Sequence, residues 1–239
     1  MSKVVIVCGA GLSALSGIPT YRDNINNNGL WNINDMKKIC TKGNEFTKES
    51  IDFYNNFRKL LKNINPSKSH YELARLQNLY GSDKFIIFTQ NIDDLLERAG
   101  CTEVKHIHGK VCELRCENCN NIKNIGYNEI KEKYCEYCNK RYRNNIVFYG
   151  EKGNYQELLE TILDMNEQKD IFVLLGTSCE AINIDMIIKP LKYKKIYINP
   201  IIEKNININQ YYKVYLDKFE NILNDFNKLL KILINDNIL

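Results

Sequence analysis

Residues 3–14 read Lys3-Val4-Val5-Ile6-Val7-Cys8-Gly9-Ala10-Gly11-Leu12-Ser13-Ala14, a short apolar run that enters a glycine-rich turn directly. A continuous apolar run of this length is the pattern of a strand covered on both faces. Gly9-x-Gly11-x-x-Ala14 reads as the turn into a helix. Small residues there let the backbone approach a pyrophosphate, and a helix start favours its negative charge. Taken alone, the match also fits a plain strand-to-helix turn. A dinucleotide fingerprint further wants an acid about 20 residues on, at the end of a second strand. That region is here Gly29-Leu30-Trp31 within a loop, which argues against an ordinary dehydrogenase.

The same plan repeats further along the chain. Residues 85–88 (FIIF) form a second buried run ending in Thr89-Gln90-Asn91-Ile92-Asp93. Residues 173–175 end in Gly176-Thr177-Ser178, and residues 196–198 end in Asn199-Pro200. Between these runs, residues 23–44 read as loop, and residues 50–63 place Phe53, Phe57, Leu60 and Leu61 at helical spacing. Asn65-Pro66-Ser67 stops that helix, with Ser67 or Ser69 as the cap of the next. Residues 218–234 form a closing helix. Strands alternating with helices predict an α/β fold with a mainly parallel sheet. In such sheets the ligand crevice lies outside the carboxyl ends of the strands, so these distant loops converge on one site.

The chain has 239 residues, enough for one domain or a large domain with a small inserted module. Hydrophobic residues at 44% and charged residues at 26% exclude a chain disordered throughout. No run approaches the ~18 apolar residues of a membrane helix, so no membrane partner is expected. The net charge of +4 is weakly basic, and nucleic acid is not expected as a direct ligand. The first apolar run is too short to read as a signal peptide. Nine cysteines, an odd count, argue against a closed disulfide framework. An intracellular, reducing compartment is expected, with cytoplasm the first choice and nothing that separates it from the nucleus. The abundance of Asn, Lys and Ile reads as mutational bias toward codons rich in A and T.

Cys116-x-x-Cys119 and Cys135-x-x-Cys138, fifteen residues apart, match zinc-ribbon spacing. Each pair presents two thiolates from one turn, and two turns complete a tetrahedron. Four protein ligands leave no open position, so the expected zinc is structural. Cys8, Cys40, Cys101, Cys112 and Cys179 lack a partner pattern and read as packed or free thiols. Lys131, Lys133, Lys140, Arg141 and Arg143 give the ribbon a basic character, which would suit a non-catalytic nucleic-acid binder but more simply marks a solvated face.

His108, in Lys105-His106-Ile107-His108-Gly109, titrates near neutrality and is suited to take a proton from a sugar hydroxyl. A satisfied structural histidine is the plainer reading, and it is kept for His106 and His70. Asn91 and Asp93 lie at a strand end. Asp93 is suited to accept from a carboxamide, and Asn91 to orient a water or a carbonyl. Asp93 is equally a good helix cap before Leu95.

Together these segments resemble the sirtuins, the NAD-dependent protein deacylases. The matching stretches are GAGLSALSGIPTYRD (9–23), GLW (29–31), NPSKSH (65–70), TQNIDDLLERAG (89–100), HIHG (106–109), both cysteine pairs, IVFYGE (146–151), LLGTS (174–178) and IN (198–199). They span residues 3 to about 230. The resemblance implies a Rossmann-like NAD domain (1–48, 81–110 and 146–239), a helical insertion (49–80) and a zinc-ribbon module (111–145). A monomer is expected. It implies removal of an acyl group from a lysine side chain of a protein or peptide. NAD is consumed, giving nicotinamide, O-acyl-ADP-ribose and free lysine.

Carried over, His108 is the general base, with Asn91 and Asp93 holding ribose and nicotinamide carboxamide. Ile18 and Ile92 line that pocket, and Gln90 contacts the ribose. Gly9, Ala10, Gly11, Ser13, Tyr21, Arg22 and Asp23 belong to the cofactor loop. Gly176, Thr177, Ser178 and Asn199 hold the adenosine half. Val147, Tyr149, Gly150 and Glu151 form the edge that pairs with the acyl-lysine peptide as an added strand.

Three departures stand out. Asn144 replaces a frequent Pro, with no consequence legible in the sequence. Cys179-Glu180-Ala181-Ile182 departs from a small apolar pattern. Sirtuins that remove succinyl or malonyl groups carry Tyr-x-x-Arg on the helix after the cofactor loop. Here Tyr54 is followed at the third position by Phe57, and Arg58 comes one residue, or 100°, later. Tyr54 and Arg58 either form an acyl-carboxylate site, or Tyr54 and Phe57 are core and Arg58 is solvated. The expectation is removal of neutral acyl groups over succinyl. NAD hydrolysis or ADP-ribosyl transfer on the same scaffold is the alternative activity.

Overall fold

A computed structural model describes residues 2–20, 36–130 and 134–235. Tyr21, Arg22, Asp23 and the Gly29-Leu30-Trp31 stretch lie outside the described residues, as do Lys131 and Lys133. In chain order the elements are β1 (Val4–Cys8), α1 (Ala10–Ala14), α2 (Met36–Ile39), α3 (Lys48–Lys62), α4 (Lys68–Tyr80), β2 (Phe85–Thr89), α5 (Leu95–Arg98) and β3 (Lys105–His106). There follow β4 (Gly109–Cys116), β5 (Ile122–Asn124), β6 (Tyr142–Ile146), α6 (Gln156–Leu163), β7 (Ile171–Leu175), α7 (Ile184–Ile188), β8 (Lys194–Ile198), β9 (Lys213–Tyr215) and α8 (Leu223–Asn235).

All five residues of β1 are buried, as are all five of β7. The cause is a six-stranded sheet in the order β3-β2-β1-β7-β8-β9, parallel throughout and covered on both faces. Alternation along the strands divides the core. Val4, Ile6 and Cys8 pack with Leu73, Leu76, Phe226 and Leu230 of α4 and α8. Val5 and Val7 face Leu158, Ile162, Ile184 and Ile188 of α6 and α7. Each such side chain taken fully from water stabilises the fold by roughly 1.5–3 kcal/mol.

Strand order fixes where a ligand can sit. The chain runs from β1 outward to β2 and β3, then returns to the other side of β1 for β7, β8 and β9. The switch point therefore lies between β1 and β7, and the loops after these two strands open a crevice there.

The rest of the chain packs beyond this edge. A three-stranded antiparallel sheet, β5-β4-β6, carries the cysteine pairs. A third core joins Met36, Ile39, Tyr54, Phe57 and Leu61 to Ile92, Val111, Ile146 and Phe148. No helix among the described residues is long and apolar enough to cross a membrane.

Several sequence expectations are corrected. Within the expected loop 23–44, Met36–Ile39 is helical. Helix α3 starts at Lys48, capped by Thr47, whose hydroxyl accepts from the Ser50 amide. Its inward face is Ser50, Tyr54, Phe57, Arg58 and Leu61, whereas Leu60 is 44% exposed and Phe53 only partly buried. Arg58 is not solvated. It is fully buried, because carbonyls from outside the helix converge on it. The closing helix begins at Leu223 after a 3-10 turn, Phe219–Asn221. Ser67 caps α4, and the His70 ring accepts from the Ser67 amide at 3.1 Å, a structural role.

Candidate active site

The loops after β1 and β7 touch backbone to backbone. The Gly11 amide donates to Gly176 O at 2.9 Å, and Gly176 has φ +61°. A Cβ on Gly11 would lie 2.8 Å from Gly176 Cα, so no side chain fits at this contact. A cavity of about 340 Å³ opens beside it, lined by Ala10, Gly11, Gln90, Asn91, Ile92, His108, Gly176, Thr177, Ser178 and Asn199. The expected strand ends thus meet in one place. A second cavity of about 590 Å³ shares Gly11, Gly176, Asn199 and Glu203 and adds Ile18, Leu175, Asp217 and Phe219. Backbone amides, small residues and hydroxyls around these linked cavities fit a phosphate-linked dinucleotide such as NAD.

Gly9, Ser13 and Asp93 stand behind the wall rather than in it. Asn91 Nδ2 donates to Gly9 O (3.0 Å) and to Ser13 Oγ (2.8 Å). Ser13 Oγ donates to Asp93 Oδ2 at 2.7 Å, and Asp93 Oδ1 accepts from the Leu95 amide at 3.2 Å. Burial raises the Asp93 carboxyl above its ordinary range, against the pull of these two donors. Asp93 thus accepts from the helix start at Leu95 although the helix cap itself is Asp94, one residue later. Gln90 Nε2 donates to Thr177 Oγ1 at 2.9 Å, tying the β2 and β7 loops together.

His108 Nδ1 lies 2.9 Å from Gln90 O. A carbonyl only accepts, so Nδ1 carries the proton and the Nε2 lone pair is free to take another. Burial lowers the pKa of His108 below the ordinary 6.5, opposed by the Gln90 contact. The ring is therefore neutral at neutral pH, as a general base requires. Gly109, with φ +80°, makes the turn after it; a Cβ there would meet Asn145 O at 2.0 Å.

The opposite end of the cavity is made by Cys40, Tyr54, Ile146, Val147, Phe148, Tyr149 and Gly150. Tyr149 bridges to Thr41. Glu151 also lines the cavity, but its carboxylate accepts from Arg143 and from the Phe148 amide (2.8 Å), which fixes the loop. Arg58 does not join Tyr54 at the wall. Its guanidinium donates to Asn128 O, Val111 O and Asn144 Oδ1 at 2.7–2.9 Å, and to Asn55. Asn144 thus has a consequence here, as a buried acceptor for Arg58. Among the described residues, the wall contains no Lys or Arg.

The sequence reading missed Tyr155, whose ring stands edge-on to His108 at 6.0 Å, together with Thr20, Phe148, Glu180 and Glu203 in the wall. The one available signal for Tyr155 was its place between the IVFYGE stretch and the helical pattern of α6.

Away from the cavity, the sulfurs of Cys116, Cys119, Cys135 and Cys138 lie within 4.8 Å of one another. Cys116 and Cys138 are 3.4 Å apart, and Cys119 and Cys135 3.6 Å. Sulfurs about 2.3 Å from a shared zinc stand about 3.8 Å apart in a tetrahedron, so the cage fits a structural zinc held by four thiolates. Cys8, Cys40, Cys101, Cys112 and Cys179 are buried, and burial pushes their pKa values up to about 11 or 12, so they remain thiols.

The Sir2 family model matches residues 9–182. An NAD-dependent protein deacylase of Campylobacter jejuni (strain RM1221) is 39% identical over 96% of this chain and 94% of its own. One from Helicobacter hepaticus is 33% identical over 79% of each chain. Among solved structures, a Sir2 homologue–NAD complex aligns with a TM-score of 0.78 and 27% identity over 97% of this chain and 90% of its own. A Sir2 complex with a deacetylated p53 peptide and 3′-O-acetyl-ADP-ribose aligns at 0.71 and 25%, covering 93% and 91%. A parallel sheet with its switch point at Gly11 and Gly176, a half-buried histidine facing the crevice, and these matches along nearly the whole length place the chain in the Sir2 family.

Proposed function

We propose that this chain is an NAD-dependent protein lysine deacylase. The observation that carries the reading is the position of His108 in one cavity, between a phosphate-fitting end and an apolar end. Acyl-lysine, NAD and water would give lysine, nicotinamide and O-acyl-ADP-ribose. Bound NAD supplies a glycosidic bond to nicotinamide, a good leaving group. Ala10, Gly11, Gly176, Thr177, Ser178 and Asn199 hold the phosphates and the adenosine half. The family resemblance adds Tyr21, Arg22 and Asp23. Asn91, Ile92 and Ile18 take the nicotinamide side, with Asp93 holding Ser13 and through it the Asn91 amide from behind, and Gln90 takes the ribose. His108 Nε2 removes a proton from a ribose hydroxyl, so that the hydroxyl oxygen can accept the acyl group. Val147 and Gly150 face the peptide, with Tyr54 and Phe148 beside the acyl chain; the Tyr149 backbone is itself paired with Cys40 and Lys42, so the expected edge is narrower there. The zinc in its cage of four sulfurs stays outside the chemistry and holds the ribbon.

The wall also bears on acyl choice. At the end formed by Tyr54, Val147 and Phe148, a succinyl carboxylate would find no free cation among the described lining residues, since Arg58 is occupied elsewhere and Arg143 is paired with Glu151. Neutral acyl groups are therefore preferred. The test is one peptide in acetyl-, butyryl- and succinyl-lysine forms with NAD, read by mass spectrometry. Expected are O-acyl-ADP-ribose and nicotinamide in equal amounts, with kcat/KM for the neutral groups at least about tenfold above succinyl. Free ADP-ribose without loss of acyl-lysine would instead mark an NAD hydrolase, and a winning succinyl peptide would overturn the acyl preference.

A further inference from the structure

Behind the cavity wall, His106 joins two elements to the Asn91 turn. It ends β3, and its side chain is only 4% exposed. Nδ1 lies 3.0 Å from Asn91 O, and Nε2 lies 2.9 Å from Glu97 Oε1 on α5. Lys110 Nζ, from β4, donates to the same Glu97 oxygen at 2.7 Å. A carbonyl and a carboxylate both accept, so each contact asks the ring to donate. Burial opposes the charge on Glu97, but the His106 and Lys110 contacts outweigh it and bring that carboxyl down to about 2. None of the three side chains lines the cavity.

What they hold does. The Asn91 carbonyl is taken by His106, and the Ile92 carbonyl accepts from the Val111 amide at 2.8 Å. The turn is therefore fixed at two successive peptide groups. Its side chains fan out from there, with Ile92 in the wall and Asn91 and Asp93 joined through Ser13. Loss of the first contact frees the Asn91–Ile92 peptide to rotate and leaves a buried carbonyl without its donor.

We infer that His106, braced by Glu97 and Lys110, is a positioning residue that sets the Asn91–Asp93 turn for the nicotinamide half of the dinucleotide. The inference rests on the NAD-binding reading above. Its distinguishing feature is selectivity, since the adenosine half is held by other loops.

Two near-isosteric replacements separate the contacts. Asparagine puts a side-chain nitrogen close to the place of Nδ1, and glutamine close to that of Nε2. His106→Asn therefore keeps a donor for Asn91 O, whereas His106→Gln keeps one for Glu97 alone. Calorimetric Kd values for NAD and for ADP-ribose, which lacks nicotinamide, are measured on both variants and the unaltered protein. His106→Gln should weaken NAD about tenfold and His106→Asn no more than about twofold, with ADP-ribose unchanged in both. Equal losses in the two variants, a matching loss of ADP-ribose, or unaltered NAD binding by His106→Gln would overturn the inference. If neither variant folded, His106→Ala, which removes the donor to Asn91 O without adding bulk, would carry the test: NAD should weaken at least about tenfold with ADP-ribose unchanged, and unaltered NAD binding would overturn the inference. Failure of the unaltered protein to bind NAD at all would instead break the functional reading.

Discussion

In the parallel sheet, β1 and β7 are buried residue by residue between helices; in the helix-and-ribbon part, the largest fully buried side chain among the described residues is an arginine. The two parts meet at the same cavity but cohere by different physics. Apolar burial in the sheet is spread over many side chains, so no single contact decides it. The ribbon has a small core, Leu114, Cys116, Cys135 and Tyr142, and depends on its four sulfurs. Helix α3 is joined to the ribbon by Arg58, which reaches Val111 on β4, Asn144 on β6 and Asn128 between β5 and β6. Few contacts of high individual value replace many of low value.

Metal removal should separate the two parts most visibly. A chelator under reducing conditions is expected to abolish amide-exchange protection across residues 109–146, since metal binding and folding are coupled in such modules. The parallel sheet should keep its protection. A stripped protein with an intact ribbon and only a lower kcat would mean that the metal serves chemistry rather than structure.

Next in size is His108→Ala, which acts at the seam and on neither half's fold. Loss of a positioned base should lower kcat by about 10²–10⁴-fold while NAD still binds. In the unaltered enzyme the same residue sets the acid limb. Its lowered pKa keeps the ring neutral, and activity present, to a pH below the ordinary histidine value, with loss as pH falls further. Full turnover by the alanine variant would remove His108 from the chemistry.

Smallest is Arg58→Met, a replacement of similar length that leaves Val111 O, Asn128 O and Asn144 Oδ1 without their donor. A loss of about 3 kcal/mol in unfolding free energy is expected, with NAD affinity unchanged. A gain in succinyl turnover or a loss of NAD affinity would show that the two halves are not as separable as their packing implies.

The same division governs what could be read from the residues alone. Glycine turns at strand ends and paired cysteines have fixed spacings because their geometry leaves no slack, and the strand-end loops and the cage of four cysteines stood out. The inward face of α3 did not. Apolar periodicity favoured Phe53 and Leu60, whereas burial of Arg58 depends on acceptors 53 to 86 residues away. The two-residue β3 and three-residue β9 are too short for any alternation to register. His106 looked like an ordinary packed histidine, since nothing local reveals that its partners are Asn91 and Glu97.

The backbone contact between Gly11 and Gly176 has a corollary in how this sequence can change. Much of the chain is rich in Asn, Lys and Ile, residues whose codons are poor in G and C. Every glycine codon begins with two guanines, so drift toward A and T works against each of the 12 glycines. At positions 11 and 176 even a methyl group meets backbone atoms within 3 Å. There, selection for the crevice must hold the codon against the nucleotide tide, and alanine is the most sensitive probe of how strongly it does so.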